Sequence, residues 1–238
     1  MANPYFRFKE FTIYHDKCAM KVGTDAVLLG AWAETTQCKS ILDIGTGTGI
    51  IALMLAQRSS AEIDAIDIDK DAYIQATENV IASPFAERIK VIHSSCTDFV
   101  MSNPQKKYDL IVSNPPYFIN SLKCPDTKRT IARHTETLRL PELIREVRTL
   151  LSPTGRIALV LPHEQIDEVR KLASINDLYI YRQTDVIPVP GAQPKRLLIE
   201  LSATEESITK RDTLIIEKAR HQYTPEYIAL TKEFYLKM

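Results

Sequence analysis

From Ile41 onward, short β-branched runs alternate with longer stretches at helical period, and this alternation constrains the fold more than any other feature of the chain. A short apolar run suits a buried strand. A stretch with apolar residues three and four apart suits a helix packed upon it, so the order implies βαβ units around a mainly parallel sheet. Seven strands are expected, over residues 41–44, 63–66, 89–92, 110–112, 156–161, 178–187 and 196–201. Helices are expected over 50–57, 70–81, 141–151 and 164–173. Pro141 sits at a first helical turn, and Ser152-Pro-Thr-Gly155 reads as the turn that ends this helix.

The ends depart from the alternation. Tyr5, Phe6, Phe8, Phe11 and Tyr14, followed by the run from Gly23 to Gly30, suggest a hairpin and then a helix. Near the other end Thr224 is placed to cap a helix, with Pro225 at its first position and Tyr227, Leu230 and Phe234 on one face. No linker rich in Gly, Ser or Pro forces a division. The expectation is one domain over 1–238: an N-terminal extension (1–40) covering the site, a core (41–201) and a tail (202–238).

Composition narrows the function classes. Lys and Arg total 30 and Asp and Glu total 30, so any attraction to nucleic acid must come from a local patch. The N-terminus lacks the continuous apolar stretch of a signal peptide, and no apolar run approaches the roughly 20 residues that cross a bilayer. Cys18, Cys38, Cys96 and Cys124 never form a C-x-x-C pair, so neither a zinc site nor a redox pair is indicated. A reduced cytoplasmic protein is expected, monomeric, without metal and without membrane contact.

The first strand runs into Asp43-Ile-Gly45-Thr-Gly47-Thr-Gly49, which opens a helix. Glycines there allow a tight turn and close approach of backbone N–H groups to a ligand. Dinucleotide enzymes space theirs G-x-G-x-x-G, whereas here the spacing is G-x-G-x-G with an acid before it. Asp43 suits a ligand with an amine, such as the tail of S-adenosylmethionine. Asp67 ends the second strand, where a carboxylate accepts both hydroxyls of a ribose, and Asp98 with Phe99 follows the third, where an adenine amino group would fall. Chance glycine loops are common; carboxylates at successive strand ends are what point to a nucleoside-containing ligand. Asp64, Asp69, Asp71 and Glu78 read as a solvated acidic face.

Asn114-Pro115-Pro116-Tyr117 leaves the fourth strand at the same edge. Two prolines stiffen the backbone and remove two donors, leaving an acceptor-rich turn. If the Asn114 side-chain oxygen and the Pro115 carbonyl each accept one hydrogen of an exocyclic amine, its nitrogen pyramidalises and aims a lone pair at an electrophilic methyl, with no strong base needed. Tyr117 would stack on the ring. A proline turn closing a buried strand is the plainer alternative, and its position after the fourth strand of a sheet that begins with the glycine loop argues against it.

These motifs resemble the class I S-adenosylmethionine-dependent methyltransferases, and among them those that use N-P-P-Y on a planar amine. Phe6-x-Phe8-x-x-Phe11, Met20-Lys21-Val-Gly23-Thr24-Asp25 through Trp32, Pro188 to Arg196, and Tyr223-Thr224 through Leu236 are further similar to the bacterial tRNA1(Val) (adenine(37)-N6)-methyltransferase family. The resemblance implies a seven-stranded Rossmann-like sheet, mostly parallel with one antiparallel strand, and helices on both faces. It implies S-adenosylmethionine held by Asp43, Gly45, Gly47, Gly49, Asp67, Asp98 and Phe99, and adenine held by Asn114, Pro115 and Tyr117. It places Lys21, Thr24 and Asp25 in a stretch folded over the site. Many relatives carry glutamate where Asp67 stands, and either carboxylate binds ribose.

The implied partner is a valine tRNA. Residues 120–139 carry Lys123, Lys128, Arg129, Arg133 and Arg139 against Asp126 and Glu136, a surplus of three positive charges directly after the tetrad. Such a patch would hold phosphates and make binding salt-dependent. Lys195-Arg196, Lys210-Arg211 and Arg220-His221 are further basic pairs, while His134 and His221 have no role in the chemistry. Other readings are methylation of a protein glutamine, as in release factors, of adenine in DNA, or a non-catalytic RNA-binding module. Glutamine enzymes typically carry a separate helical N-terminal domain, and only about 40 residues precede the first core strand here.

Overall fold

The computed structural model describes residues 3–18, 21–116, 139–205 and 210–237. An N-terminal hairpin, β1 (Tyr5–Arg7) and β2 (Thr12–Tyr14), leads to α1 (Thr24–Trp32). The core follows as β3 (Ser40–Ile44), α2 (Ile50–Arg58), β4 (Glu62–Asp67), α3 (Lys70–Ile81), β5 (Ile89–His93), α4 (Cys96–Ser102) and β6 (Tyr108–Ser113). After the tetrad come α5 (Leu140–Arg148), β7 (Leu151–Pro162), α6 (Ile166–Ile175), β8 (Tyr179–Ile187), β9 (Arg196–Ser202) and β10 (Lys210–Ile215). A small ribbon, β11 (Glu217–Ala219) with β12 (Gln222–Tyr223), and α7 (Pro225–Thr231) complete the chain.

The main sheet has eight strands in the order β10-β8-β9-β7-β6-β3-β4-β5. Only β9 runs against its neighbours, so the expectation of one antiparallel strand holds and the count of seven is corrected to eight. The added strand, β10, comes from the segment read as tail. Its sequence Lys-Arg-Asp-Thr-Leu-Ile buries only Leu214, the habit of an edge strand, and so lacks the hydrophobic alternation by which the others are recognised.

Alternation along the strands sorts side chains between two cores. Ile41 of β3, Ala158 and Val160 of β7 and Leu198 of β9 pack with α1 and α2. Leu42 and Ile44, Ile157, Leu159 and Leu161, and Leu197 and Ile199 pack on the opposite face, with Phe99 of α4 and Ile144 of α5. Asp43 therefore faces the α2 side. α1 is buried all around, from Ala26 to Trp32, because the sheet, α2 and α7 enclose it. α7 starts as expected, with the Thr224 hydroxyl accepting from Tyr227 N–H at 3.2 Å and Tyr227 and Phe234 buried.

Two boundaries differ most from expectation. The helix expected over 141–151 ends at Arg148, since Leu150 already pairs with the sheet through Tyr108 N–H at 2.8 Å. Residues 152–155, expected as a turn, form a bulged start to β7: the register passes from Tyr108↔Leu151 to Leu110↔Arg156. α4 escaped sequence analysis because it is only 7 residues long, though Ser95 and Asp98 form a start signal. Among the described residues no helix is long and apolar enough to cross a membrane.

Gly155 is what allows the bulge to close on β6. A Cβ at this position would lie 2.7 Å from the Tyr108 carbonyl oxygen and 3.0 Å from Ser152 N, both backbone atoms that cannot swing aside. Gly155→Ala is expected to destabilise the fold by about 1 to 3 kcal/mol, read as a lower urea midpoint; an unchanged midpoint would mean that the bulge is loosely packed.

Candidate functional site

The chain reverses its course across the sheet between β3 and β6. β4 and β5 extend one way from β3, and β6 returns to its other side, so the loops after β3 and β6 diverge and leave a crevice at their carboxyl ends. Ile44 of β3 is paired with Ser113 of β6, and the Ser113 hydroxyl donates to the Ile44 carbonyl at 2.8 Å. One residue further along, Gly45 and Asn114 start the two loops side by side. Asn114 and Pro115 are half-buried and Pro116 is exposed. Tyr117 lies outside the described residues, as do Lys123, Lys128, Arg129 and Arg133.

Backbone conformation explains the glycines after β3. Gly45, Gly47 and Gly49 have φ of +69°, +57° and +82°, values that L side chains rarely adopt. Their N–H groups are partly engaged: Gly45 and Thr46 both donate to the Ile66 carbonyl, at 2.9 and 3.0 Å, and Gly47 donates to Asp67 Oδ2 at 2.8 Å. A Cβ on Gly45 or Gly47 would meet nothing within 4 Å, so the loop surface lies open. At Gly49, the cap of α2, it would be 3.4 Å from the Ala76 Cβ, an ordinary contact, so the left-handed φ and not lack of space calls for glycine there.

Asp67 joins the loop to β4. Its Oδ1 accepts from Asp69 N–H at 2.9 Å while Oδ2 holds Gly47, and the residue is largely buried. Burial raises its carboxyl above the ordinary range, opposed by these two N–H donors. Each oxygen keeps a lone pair for a further donor.

Asp43 is the residue expected to face a ligand amine. It is fully buried beneath the loop, where Oδ2 accepts from the Thr46 hydroxyl at 2.6 Å, so it braces the loop from below. Oδ1 has no hydrogen-bond partner. Burial pushes the carboxyl up to about 7, with the Thr46 hydroxyl opposing the shift.

Asp98 lies in the first turn of α4 and is exposed. Its N–H donates to Ser95 Oγ at 3.0 Å, and Ser95 Oγ donates to its Oδ2 at 2.7 Å. The Phe99 ring turns away into the core, 6.5 Å from the Tyr108 ring, because α4 packs its Cys96 and Phe99 side on the sheet. Asp69, read as surface, caps α3 by accepting from Asp71 and Ala72 N–H, and Asp64 accepts from Lys106 and the Tyr108 hydroxyl.

The N-terminal segment reaches the crevice by contacts that sequence analysis missed. Asn79 on α3 accepts from Tyr14 N–H at 3.0 Å and donates to the Tyr14 carbonyl at 2.9 Å and to the Thr48 carbonyl in the glycine loop at 2.8 Å. Gln75, one turn earlier, accepts from Lys17 N–H at 3.0 Å. Both amides are buried within an otherwise apolar stripe of Ala72, Ala76 and Val80, and polar residues at helical spacing on that stripe were the available signal. Burial, with the charges of Asp67, Asp69 and Asp71 adding to it, pushes the Cys18 thiol up to about 12. Lys21 and Thr24 are exposed, whereas Asp25 pairs with Arg196 at 2.8 Å and so ties α1 to the start of β9.

Among the remaining basic residues, Arg139 caps α5, its N–H donating to Glu142. Arg211 pairs with Asp185, and Lys210 lies over the Tyr181 ring. Among the described residues no three His, Cys, Asp or Glu side chains converge as a metal site. A cavity of about 710 Å³ at the opposite edge, lined by Thr35, Lys39, Arg58 and Ser59, contains none of these site groups.

Residues 18–176 match the methyltransferase small domain family. A tRNA1(Val) (adenine(37)-N6)-methyltransferase from Parabacteroides distasonis is 61% identical over 238 residues, spanning 100% of both chains. One from Bacteroides fragilis is 52% identical over 241 residues, again spanning 100% of both. Among solved structures, Atu636 from Agrobacterium tumefaciens, described as a predicted O-methyltransferase, superposes with a TM-score of 0.67 at 20% identity, over 88% of this chain and 96% of that one. Pyrococcus horikoshii TYW2 in complex with MeSAdo superposes with a TM-score of 0.58 at 14% identity, over 83% and 70%. At such identities the two structures report a shared fold.

The buried carboxyl of Asp43 has a measurable consequence. Its folded-state pKa of about 7 lies above the unfolded value, so folding takes up a proton between about pH 4 and 7 and stability from this group falls as pH rises through that window. Asp43→Asn removes the ionisation. The ligand-free variant is expected to gain stability relative to the parent between about pH 5 and pH 8, read from urea midpoints; an equal difference at both pH values would contradict it.

Proposed function

The chain belongs to the methyltransferase small domain family, and on that premise we propose that it transfers the methyl group of S-adenosylmethionine to N6 of adenine 37 in tRNA1(Val). The observation that carries the chemistry is the Ile44↔Ser113 pairing, which sets the glycine loop and Asn114 at the mouth of one crevice. Relatives of 61% and 52% identity over their full lengths bear the name of this activity and supply the substrate.

The residues present fit the cofactor. Open space above Gly45 and Gly47 admits a ligand against the backbone, and Asp67 at the end of β4 has lone pairs for two ribose hydroxyls. The spare oxygen of Asp43, under the same loop, adds negative charge beneath the amine of the methionine tail. Asp98 takes the adenine amino group, with Phe99 supporting it from the core. When bound, S-adenosylmethionine supplies an electrophilic methyl on a sulfonium. Gly49 closes the glycine loop where α2 begins, and Lys21, Thr24 and Asp25 belong to the segment that covers the site.

The protein's part in transfer is positioning. The amine of adenine is a poor nucleophile because its lone pair is delocalised into the ring. Asn114 and the Pro115 carbonyl each accept one of its hydrogens, the nitrogen becomes pyramidal, and the lone pair turns toward the methyl. The proton leaves after the methyl has moved, so no buried base is required. Tyr117 stacks on the base, an interaction worth about 1 to 3 kcal/mol, comparable with the few kcal/mol that extrude a base from its stack. Lys123, Lys128, Arg129 and Arg133 follow the tetrad and hold flanking phosphates. Residues 1–238 act as a single unit in the cytoplasm, where tRNA is modified.

Purified protein is expected to transfer labelled methyl to unmodified valine tRNA. Asn114→Ala should lower transfer on the order of 100- to 1,000-fold and leave cofactor affinity, measured by calorimetry, nearly intact. Transfer to the glutamine of a release factor with none to tRNA would reject the assignment.

A further inference from the structure

The connection between β8 and β9 leaves the sheet at the same carboxyl edge as the crevice, because β8 runs parallel to β7. It is built to keep one shape. Prolines stand at 188, 190 and 194, and each fixes a φ angle. Ala192 N–H donates to the Val189 carbonyl at 3.1 Å, closing a turn with Pro190 second and Gly191 third, at φ +79°, the composition of a type II turn. Both ends are anchored. Glu217 N–H donates to the Pro188 carbonyl at 3.0 Å, Lys195 N–H to the Val186 carbonyl at 2.9 Å, and His163 N–H to the Lys195 carbonyl at 3.2 Å.

The turn presents an apolar tip and a cation free of ion pairs among the described residues. Val189 and Pro190 are exposed at its tip, and a Cβ on Gly191 would meet nothing within 4 Å, so the tip stands clear of the body. Residues 188–196 carry two cations and no acid. Arg196 is engaged by Asp25, whereas the exposed Lys195 has no ion pair among the described residues. A preorganised apolar tip on the same loop as an available ammonium at its base loses little entropy on binding, and it matches a strand of unpaired nucleotides, which offers phosphates and ring faces together.

Resting on the tRNA reading above, we propose that this loop docks the anticodon strand: Lys195 takes a phosphate flanking the target base, and Val189 with Pro190 packs against the neighbouring nucleotide. β9 lies two strands from β6 in the sheet, about 10 Å at roughly 4.8 Å per strand. A strand that places one base at Asn114 therefore passes over the loop with an adjacent nucleotide.

Methyl transfer to unmodified valine tRNA, followed across a salt series, tests this. Lys195→Ala should raise KM for tRNA roughly three- to tenfold and reduce the slope of log affinity against log salt by about one phosphate contact, with kcat and cofactor affinity unchanged. The pair Val189→Ser and Pro190→Ser should raise KM with the salt slope unaltered. Wild-type transfer accompanied by unchanged KM and slope in every variant overturns the docking role and leaves the tRNA reading standing. Absence of transfer by the wild type overturns both, and an equal loss toward a protein substrate overturns the choice of RNA.

Discussion

Parallel pairing of β3 with β6 is the constraint on which the crevice depends. Strands 69 residues apart, Ile44 and Ser113, are held in register by the sheet and by the Ser113 hydroxyl on the Ile44 carbonyl. Because both strands point the same way, each delivers its loop to one edge. A slip of one residue would turn every side chain of β3 to the other face, moving Asp43 out from beneath the glycine loop and Leu42 out of its core. Packing on both faces makes that slip prohibitive.

Polar groups around this edge are arranged so that few buried ones lack a partner. Asn79 uses its carbonyl and both N–H bonds to tie the N-terminal segment to the glycine loop, and Asp25 with Arg196 ties α1 to β9. The Asp25 pair is partly exposed and worth at most about 1 kcal/mol, so its effect is orientation more than stability. Farther along β9, Glu200 is fully buried and pairs with Arg182, which stacks 3.7 Å above the Trp32 ring. Burial raises the Glu200 carboxyl and Arg182 opposes it. Such a pair costs desolvation that its attraction scarcely offsets, and what it secures is the angle of α1 over the sheet.

Asp43 Oδ1 is among the buried atoms left without a partner, as are Glu200 Oε2 and Arg182 Nε. A carboxyl pushed up to about 7 by burial, with one oxygen unpaired, weakens the ligand-free fold. A cationic ligand near the loop would favour its ionised form, so the same burial that costs stability makes the site responsive to positive charge. Functional sites commonly carry such a local cost.

The amino-acid sequence by itself determined the βαβ order, because buried parallel strands and amphipathic helices each leave a period that survives without knowledge of neighbours. It also determined the glycine loop, since a positive φ demands glycine, and it marked Asp67 and the Asn114 tetrad as candidates, since a donor-poor turn demands particular residue types. Tertiary structure alone decided that β10 joins the sheet, because an exposed edge strand needs no apolar alternation. It alone turned Phe99 into the core, set Asp43 below the loop, and gave Asn79 and Gln75 their partners. Those outcomes depend on which distant backbone groups meet a side chain, and long-range hydrogen bonds leave no local period to read.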